Sequence, residues 1–276
     1  MDDLGTLMAC SLTCKFFFHA TRPLIHQRLV CLGSRRVLPK SKPKKRRKRD
    51  PGAFERLIHA DRLGVLPYTR HLTLKPDNVS SYPFFYPSHL QEYLPQFRSI
   101  IKLQTLTLTK FNIPSFIPVF NEYFGMFTNS LRHLDIRTPY GTAQEFSYII
   151  CQFPLLEDLT IISPADGLGA HPVPAITQSP PLRGKLVLVQ AATRELSEGL
   201  ATLPGGLNFR SLELSWCTHL QPIIAACAHS VTSISYCWRS GDTNSESDPS
   251  IRVSRCNLGD YSGPTGPQAK RGTGKI

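Results

Sequence analysis

No two cysteines of this chain stand two residues apart, no His-Glu-x-x-His or Gly-x-Ser-x-Gly phrase occurs, and nowhere do the glycines form G-x-G-x-x-G. These absences remove paired zinc ligands, a hydrolase nucleophile elbow and a dinucleotide fingerprint. The closing "AKRGTGKI" fails as a phosphate loop, because Ala269 stands where glycine is needed and Ile276 where the motif has Ser or Thr. The nine histidines are dispersed. An enzyme is not expected, nor a cofactor, nor a metal site. The eight cysteines include Cys10 and Cys14, read as sharing one helical face, and Cys217, Cys227 and Cys237 at intervals of ten. None has the partner ligands that zinc requires, and a chain of 276 residues does not depend on disulfides. Reduced thiols point to nucleus or cytoplasm.

Long apolar runs are missing too. The N-terminal "MDDLGTLMACSLTCKFFFH" opens on two acids and is interrupted by Lys15, so it reads neither as a secretory leader nor as a membrane span. Acids are scarce, 20 against 32 Lys and Arg, which gives a formal charge of +12. Eight of the cations fall in "KSKPKKRRKR", residues 40 to 49, so about +4 is left for the rest of the chain, and about +2 once Arg35 and Arg36 are also set aside. That run has no aromatic residues to stack bases and two nearby prolines, so it reads as an extended, solvated linker. Lys42, Lys44, Lys45, Arg46, Arg47, Lys48 and Arg49 are the candidates for contact with a nuclear import receptor; a plain linker comes next and nucleic-acid binding last.

A phrase close to L-x-x-L-x-L recurs. Its copies are "RHLTL", "LQTLTLT", "LRHLDIR", "LEDLTII", "RGKLVLV", "FRSLELS" and "VTSISYC". The matching apolar positions, Leu72, Leu106, Leu134, Leu159, Leu186, Leu212 and Ile234, are spaced 34, 28, 25, 27, 26 and 22 residues apart, within the range of leucine-rich repeats. Between them lie helical patterns. Phe116, Val119, Phe120, Tyr123, Phe124 and Phe127 recur at three-and-four spacing, as do Phe146, Ile149, Ile150 and Phe153. Weaker helices are read at Leu90, Tyr93, Leu94 and Phe97, at Leu196, Leu200 and Leu203, and at Leu220, Ile223, Ile224 and Cys227. A strand-loop-helix unit cannot bury both its faces alone, so copies must stack. The expected fold is α/β: a short leucine-rich-repeat solenoid with parallel strands on the concave face, helices on the convex face and an N-terminal helical cap.

Strand side chains alternate, so Leu106 and Leu108 point inward while Thr105, Thr107 and Thr109 point outward. By the same alternation the outward set is Thr105, Thr107, His133, Asp135, Arg137, Asp158, Thr160, Lys185, Ser211, Glu213 and Ser215. Its charge is mixed, which suits a target protein better than a polyanion. Cys217 reads as the buried Asn/Cys position that follows a repeat strand. Residues 163 to 181 read as a long loop, and residues 240 to 276 as a disordered tail with "IRVSR" at best a stray strand.

At the front, Leu4, Leu7, Met8, Leu12, Phe16 and Phe17 are read as one helical face of a small helical pair, whose plain role is to cap the solenoid. "DLGTLMACSLTCKFFFHATRPLIHQRLVCL" also resembles the second half of an F-box. With "RHLTL", "FGMFTNSLRHLDI", "FPLLEDLTI", "PPLRGKLVL" and "LPGGLNFRSLEL", the chain resembles the F-box and leucine-rich-repeat proteins abundant in mushroom-forming fungi. The leucine-proline phrase and first helix of that family do not precede the match, so it reads as a truncated F-box. The resemblance implies a substrate receptor of a cullin-RING ubiquitin ligase, with Leu7, Cys10, Leu12, Cys14, Phe16 and Phe17 facing the ligase adaptor subunit and the repeats holding a target protein. The alternative is a nuclear repeat protein without ligase attachment. The expected divisions are a partial F-box-like segment over 1–32, a basic linker over 33–53, the solenoid over 54–239 and the tail over 240–276.

Overall fold

The computed structural model describes residues 4–33, 53–76, 94–166, 176, 181–190, 193–237 and 252–253. It begins with two helices, α1 (Leu4–Thr13) and α2 (Lys15–Ile25), followed by strand β1 (Arg28–Gly33), helix α3 (Ala53–Arg62), strand β2 (His71–Pro76) and the short α4 (Leu94–Phe97). The chain then alternates: β3 (Thr105–Thr109), α5 (Ile113–Tyr123), β4 (His133–Arg137), β5 (Tyr140–Gly141), α6 (Ala143–Cys151), β6 (Asp158–Ile162) and β7 (Ala165–Asp166). Next come β8 (Leu182–Val189), α7 (Arg194–Ala201), β9 (Leu207–Ser215), α8 (Gln221–Cys227), β10 (Ser233–Cys237) and β11 (Arg252–Val253).

Nine of these strands form one sheet in the order β1-β2-β3-β4-β6-β8-β9-β10-β11, parallel from β1 to β10 and closed by antiparallel β11. Strand order follows chain order, with helices between most neighbouring strands, which is the pattern of a solenoid-like α/β fold. The seven apolar positions picked out by the repeated phrase are mutual partners across the sheet: Leu72, Leu106, Leu134, Leu159, Leu186, Leu212 and Ile234 lie in one continuous ladder. The leucines of that ladder are at most 1 % exposed. A two-residue pair, β5 with β7, stands apart from the sheet.

The helices cover one face through their aromatic side chains. Phe97, Phe116, Phe120, Phe124, Phe127 and Phe153 are buried together, with Phe120 and Phe124 stacked at 5.1 Å and Phe111 edge-on to Phe116 at 4.7 Å. Such pairs add to the burial of large apolar rings. Local signals fix where helices start. Asn112 caps α5 by accepting the Ser115 N–H at 3.1 Å. Thr142 and Glu145 form a reciprocal capping box on α6, and Thr193 caps α7.

Five strands end in the same way. The residue after each of β3, β4, β6, β8 and β9 is left-handed: Lys110, Thr138, Ser163, Gln190 and Trp216, with φ between 45° and 55°. Each of their N–H groups donates to the last carbonyl of the next strand: Lys110 to Arg137, Thr138 to Ile162, Ser163 to Val189, Gln190 to Ser215 and Trp216 to Cys237, at 2.7 to 3.0 Å. The turn is thus tied across repeats, and the tie holds a non-glycine residue in a conformation that costs about 1–2 kcal/mol.

Three readings of the sequence need correction. The segment 1–32 is not helical throughout, because the helix ends at Ile25 and Arg28–Gly33 becomes the first strand, paired parallel with β2; the Leu29-x-Cys31 alternation suits a strand edge that buries Cys31. The apolar residues before it do not share one helical face, since Cys14 has extended backbone (φ −160°, ψ 165°) and breaks the helix in two. Cys10 and Cys14 therefore do not share a face either. Helix α3 lies in a stretch that carried no helical reading. The "IRVSR" stretch supplies β11, and the remainder of the expected tail lies outside the described residues, as do most of the expected loop over 163–181 and the positions of Leu90 and Tyr93.

Candidate functional site

Alternation on the strands sets the outward residues in rows across the sheet. One row runs Arg28, His71, Thr105, His133, Asp158, Lys185, Ser211; the next runs Val30, Thr73, Thr107, Asp135, Thr160, Val187, Glu213. A third continues from Thr109 through Arg137, Ile162 and Val189 to Ser215. All eleven residues expected on the outward face are therefore brought to one surface. Arg137 is exposed, and the other ten are half-buried. Sequence reading missed Arg28, His71, Thr73 and Lys75 from the first two strands, although the alternation of "RHLTLK", residues 70 to 75, carried the signal for the last three. It also passed over Ile162, Val187 and Val189, which give the middle of the face an apolar strip.

Several of the charged members are paired with one another. His133 Nδ1 meets Asp158 Oδ2 at 2.8 Å, and Lys185 Nζ meets Glu213 Oε1 at 2.7 Å. Arg137 forks onto Asp135, with Nη2 at 2.6 Å and Nε at 2.9 Å from Oδ2; these hydrogen bonds raise the arginine's pKa. At the row where the strands begin, Arg132 is bonded to Glu157. Exposed pairs of this kind contribute about 0–1 kcal/mol each, so their effect is to fix side chains and cancel local charge. His71 stands between Arg28 and Thr105, and its pKa is lowered first by partial burial, then by the charges of Arg28 and His133.

The second surface is the helical pair. Helices α1 and α2 pack on each other, yet Met8, Leu12, Phe16, Phe17, Phe18 and Leu24 are exposed, Leu12 by 86 % and Phe16 by 75 %. Leu7 and Cys10 are half-buried and Cys14 is exposed. Arg22 lies over the Phe18 ring at 5.4 Å, a contact that shields one face of the aromatic. Solvent-facing apolar surface this concentrated is uncommon on a monomeric domain.

The buried thiols are structural. Cys217 donates from Sγ toward the carbonyls of Leu188 and Ser215, at 3.3 and 3.2 Å, and so ties the exits of β8 and β9 together. Burial pushes the Cys227 thiol up to about 11. Among the described residues no group of three or more His, Cys, Asp or Glu is placed to hold a metal ion, and no helix is long and apolar enough to cross a membrane. The basic positions Lys42, Lys44, Lys45, Arg46, Arg47, Lys48 and Arg49 lie outside the described residues. Comparison of the chain with protein-family models, curated proteins and solved structures returns no match.

Proposed function

We propose that this chain is a non-enzymatic interaction protein, an F-box-like leucine-rich-repeat receptor that joins a target protein to the adaptor subunit of a cullin-RING ubiquitin ligase. The observation that carries this reading is the division into two surfaces of different chemistry. The α1–α2 pair presents exposed apolar side chains headed by Leu12 and Phe16, suited to burial against another protein. The sheet face presents a rigid, mixed array of Thr, Ser and paired charges around the apolar strip of Ile162, Val187 and Val189, suited to reversible contact with a folded or extended target. The parallel ladder of apolar residues, with helices between most neighbouring strands, supports the repeat assignment, and the phrases quoted from the sequence support the F-box one. Such a receptor performs no covalent chemistry. Its work is to hold two proteins together.

A pulldown with purified adaptor tests the attachment. Wild type should be retained, and Leu12→Asp and Phe16→Asp should lose retention while keeping the circular dichroism of the parent, since neither side chain is buried. Absence of retention by a folded wild-type chain would remove the ligase from the reading and leave the sheet face as an interaction surface in its own right.

A further inference from the structure

From β1 to β10 the described strands keep residue-for-residue register except at one point, between Gly184 and Lys185. There Gly184 pairs with Phe209 and Lys185 with Ser211, so Arg210 is an extra residue on β9, a β-bulge. Gly184 stands at the shift. Its φ is 84°, and a Cβ at that position would lie 1.9 Å from the Glu157 carbonyl oxygen.

The bulge shapes a depression of about 500 Å³ lined by Arg183, Gly184, Asn208, Arg210 and Ser230. No acid lines it. Both arginines are exposed, and among the described residues neither has an acidic partner, whereas Arg98, Arg132, Arg137 and Arg194 are each paired with a carboxylate. Asn208 Oδ1 is engaged by His229 Nε2, which leaves the amide Nδ2 as the donor available to the depression. The Ser230 hydroxyl is tied to the carbonyls of Phe209 and Cys227, both at 3.1 Å, so this wall is held in place.

We propose that the depression is an oxyanion site whose ligand is a phosphoryl dianion. Two guanidinium forks present more donors than one carboxylate can use, and a phosphoryl group with three acceptor oxygens matches both forks and the Asn208 amide. The phosphoryl group comes from either of two sources, a phosphorylated side chain of a bound protein or a small free phosphate. The site needs neither the helical pair nor the ligase adaptor, and it lies beside the outward rows rather than within them.

The test is a titration of the isotopically labelled full chain with inorganic phosphate, with O-phosphoserine and with aspartate, at constant ionic strength. It reads the amide signals of Gly184 and Ser230 and the side-chain Nε–H signals of Arg183 and Arg210. Because the cations between residues 40 and 49 also attract phosphate, the titration is repeated on a variant with all eight replaced by glutamine. Saturable shifts at Gly184 and Ser230 are expected in both proteins, with affinity falling about tenfold or more in Arg183→Ala and in Arg210→Ala, as for loss of a charge-assisted hydrogen bond. Arg183→Lys should fall between, since it keeps charge but not the fork. Tighter binding of O-phosphoserine than of inorganic phosphate identifies a protein-borne phosphoryl group, and equal binding identifies free phosphate. Equal response to aspartate, shifts indifferent to both arginine substitutions, or loss of all shifts with the 40–49 cations overturns the proposal.

Discussion

Replacing Gly184 by alanine separates steric demand from backbone conformation at the one break in the sheet's register. The added methyl would fall 1.9 Å from the Glu157 oxygen and 2.8 Å from its carbonyl carbon, both backbone atoms, so no side-chain rotation relieves the overlap. Ordinary C···O contact needs about 3.3 Å, which requires β8 and the entry to β6 to part by more than about 1 Å. That parting breaks the bond from the Lys185 N–H to the Glu157 carbonyl, now 2.8 Å. Its net loss costs about 0.5–1.5 kcal/mol, and a Cβ at positive φ costs about 1–2 kcal/mol more. Gly206 supplies the control: its φ is 71°, but nothing lies within 4 Å of a Cβ built there. Gly206→Ala incurs the conformational cost alone, partly offset by about 0.4–1 kcal/mol through the stiffer unfolded chain. Because the positive-φ cost and the unfolded-chain offset are common to both variants, urea unfolding at a shared m-value should place Gly184→Ala below Gly206→Ala by the lost hydrogen bond, about 0.5–1.5 kcal/mol. If the two fall within about 0.5 kcal/mol of each other, the close approach of β8 to Glu157 is not what requires glycine.

Other expectations follow from single groups. Thr138 is exposed and β-branched at φ 45°, so Thr138→Gly should raise stability by about 0.5–1 kcal/mol, strain relief less unfolded-chain entropy; an unchanged or lower urea midpoint would contradict the strain assigned to these turns. His71 has a folded pKa below the usual 6.5, so its contribution is present above pH 6.5 and is lost as pH falls through the folded value, where the unfolded chain already carries the proton. Wild type should therefore lose more stability between pH 7.5 and 5 than His71→Gln does, and parallel pH profiles would remove His71 from the account. Cys227, buried and with its thiol pushed up to about 11, should resist alkylation at pH 7.5 until the chain unfolds, while exposed Cys14 reacts in the native state; peptide mapping of the labelled protein decides between them.

The repeat phrase carried the sheet because one chemical choice, an apolar residue at every second strand position, sets both burial and register. Leu72 through Ile234 could be aligned from sequence alone and proved to be mutual partners. The outward rows were legible for the same reason, apart from β1 and β2, where the reading stopped at the repeat phrase. Three things were not legible. The break at Cys14 depends on a backbone conformation that a run of apolar residues does not encode, and helical periodicity continued smoothly across it. The left-handed residues after the strands include Lys, Thr, Ser, Gln and Trp, none of which signals positive φ by type; the turn is imposed by the bond each makes to the neighbouring strand. Arg210 looked like any charge before "SLELS"; the one local signal of the bulge was the glycine inside "RGKLVLV", Gly184, which the reading of that phrase did not use.

That last case bears on where recognition chemistry is to be sought in a stacked fold. Positions that repeat are constrained by the packing of every unit on the next, and several of their charges here are already spent on one another: His133 on Asp158, Arg137 on Asp135, Lys185 on Glu213. A partner must break or match those pairs, at a net gain of about 1 kcal/mol or less for each. Among the described residues Arg183 and Arg210 meet no carboxylate. They stand at a break in register, beside a glycine whose Cβ would meet the Glu157 backbone, and local rules fail most often where a structure serves function as well as stability. The regular rows therefore supply shape and breadth of contact, and the irregular point supplies uncompensated charge, so a ligand that gains most from this surface is one that places an anion at the bulge while lying across the rows.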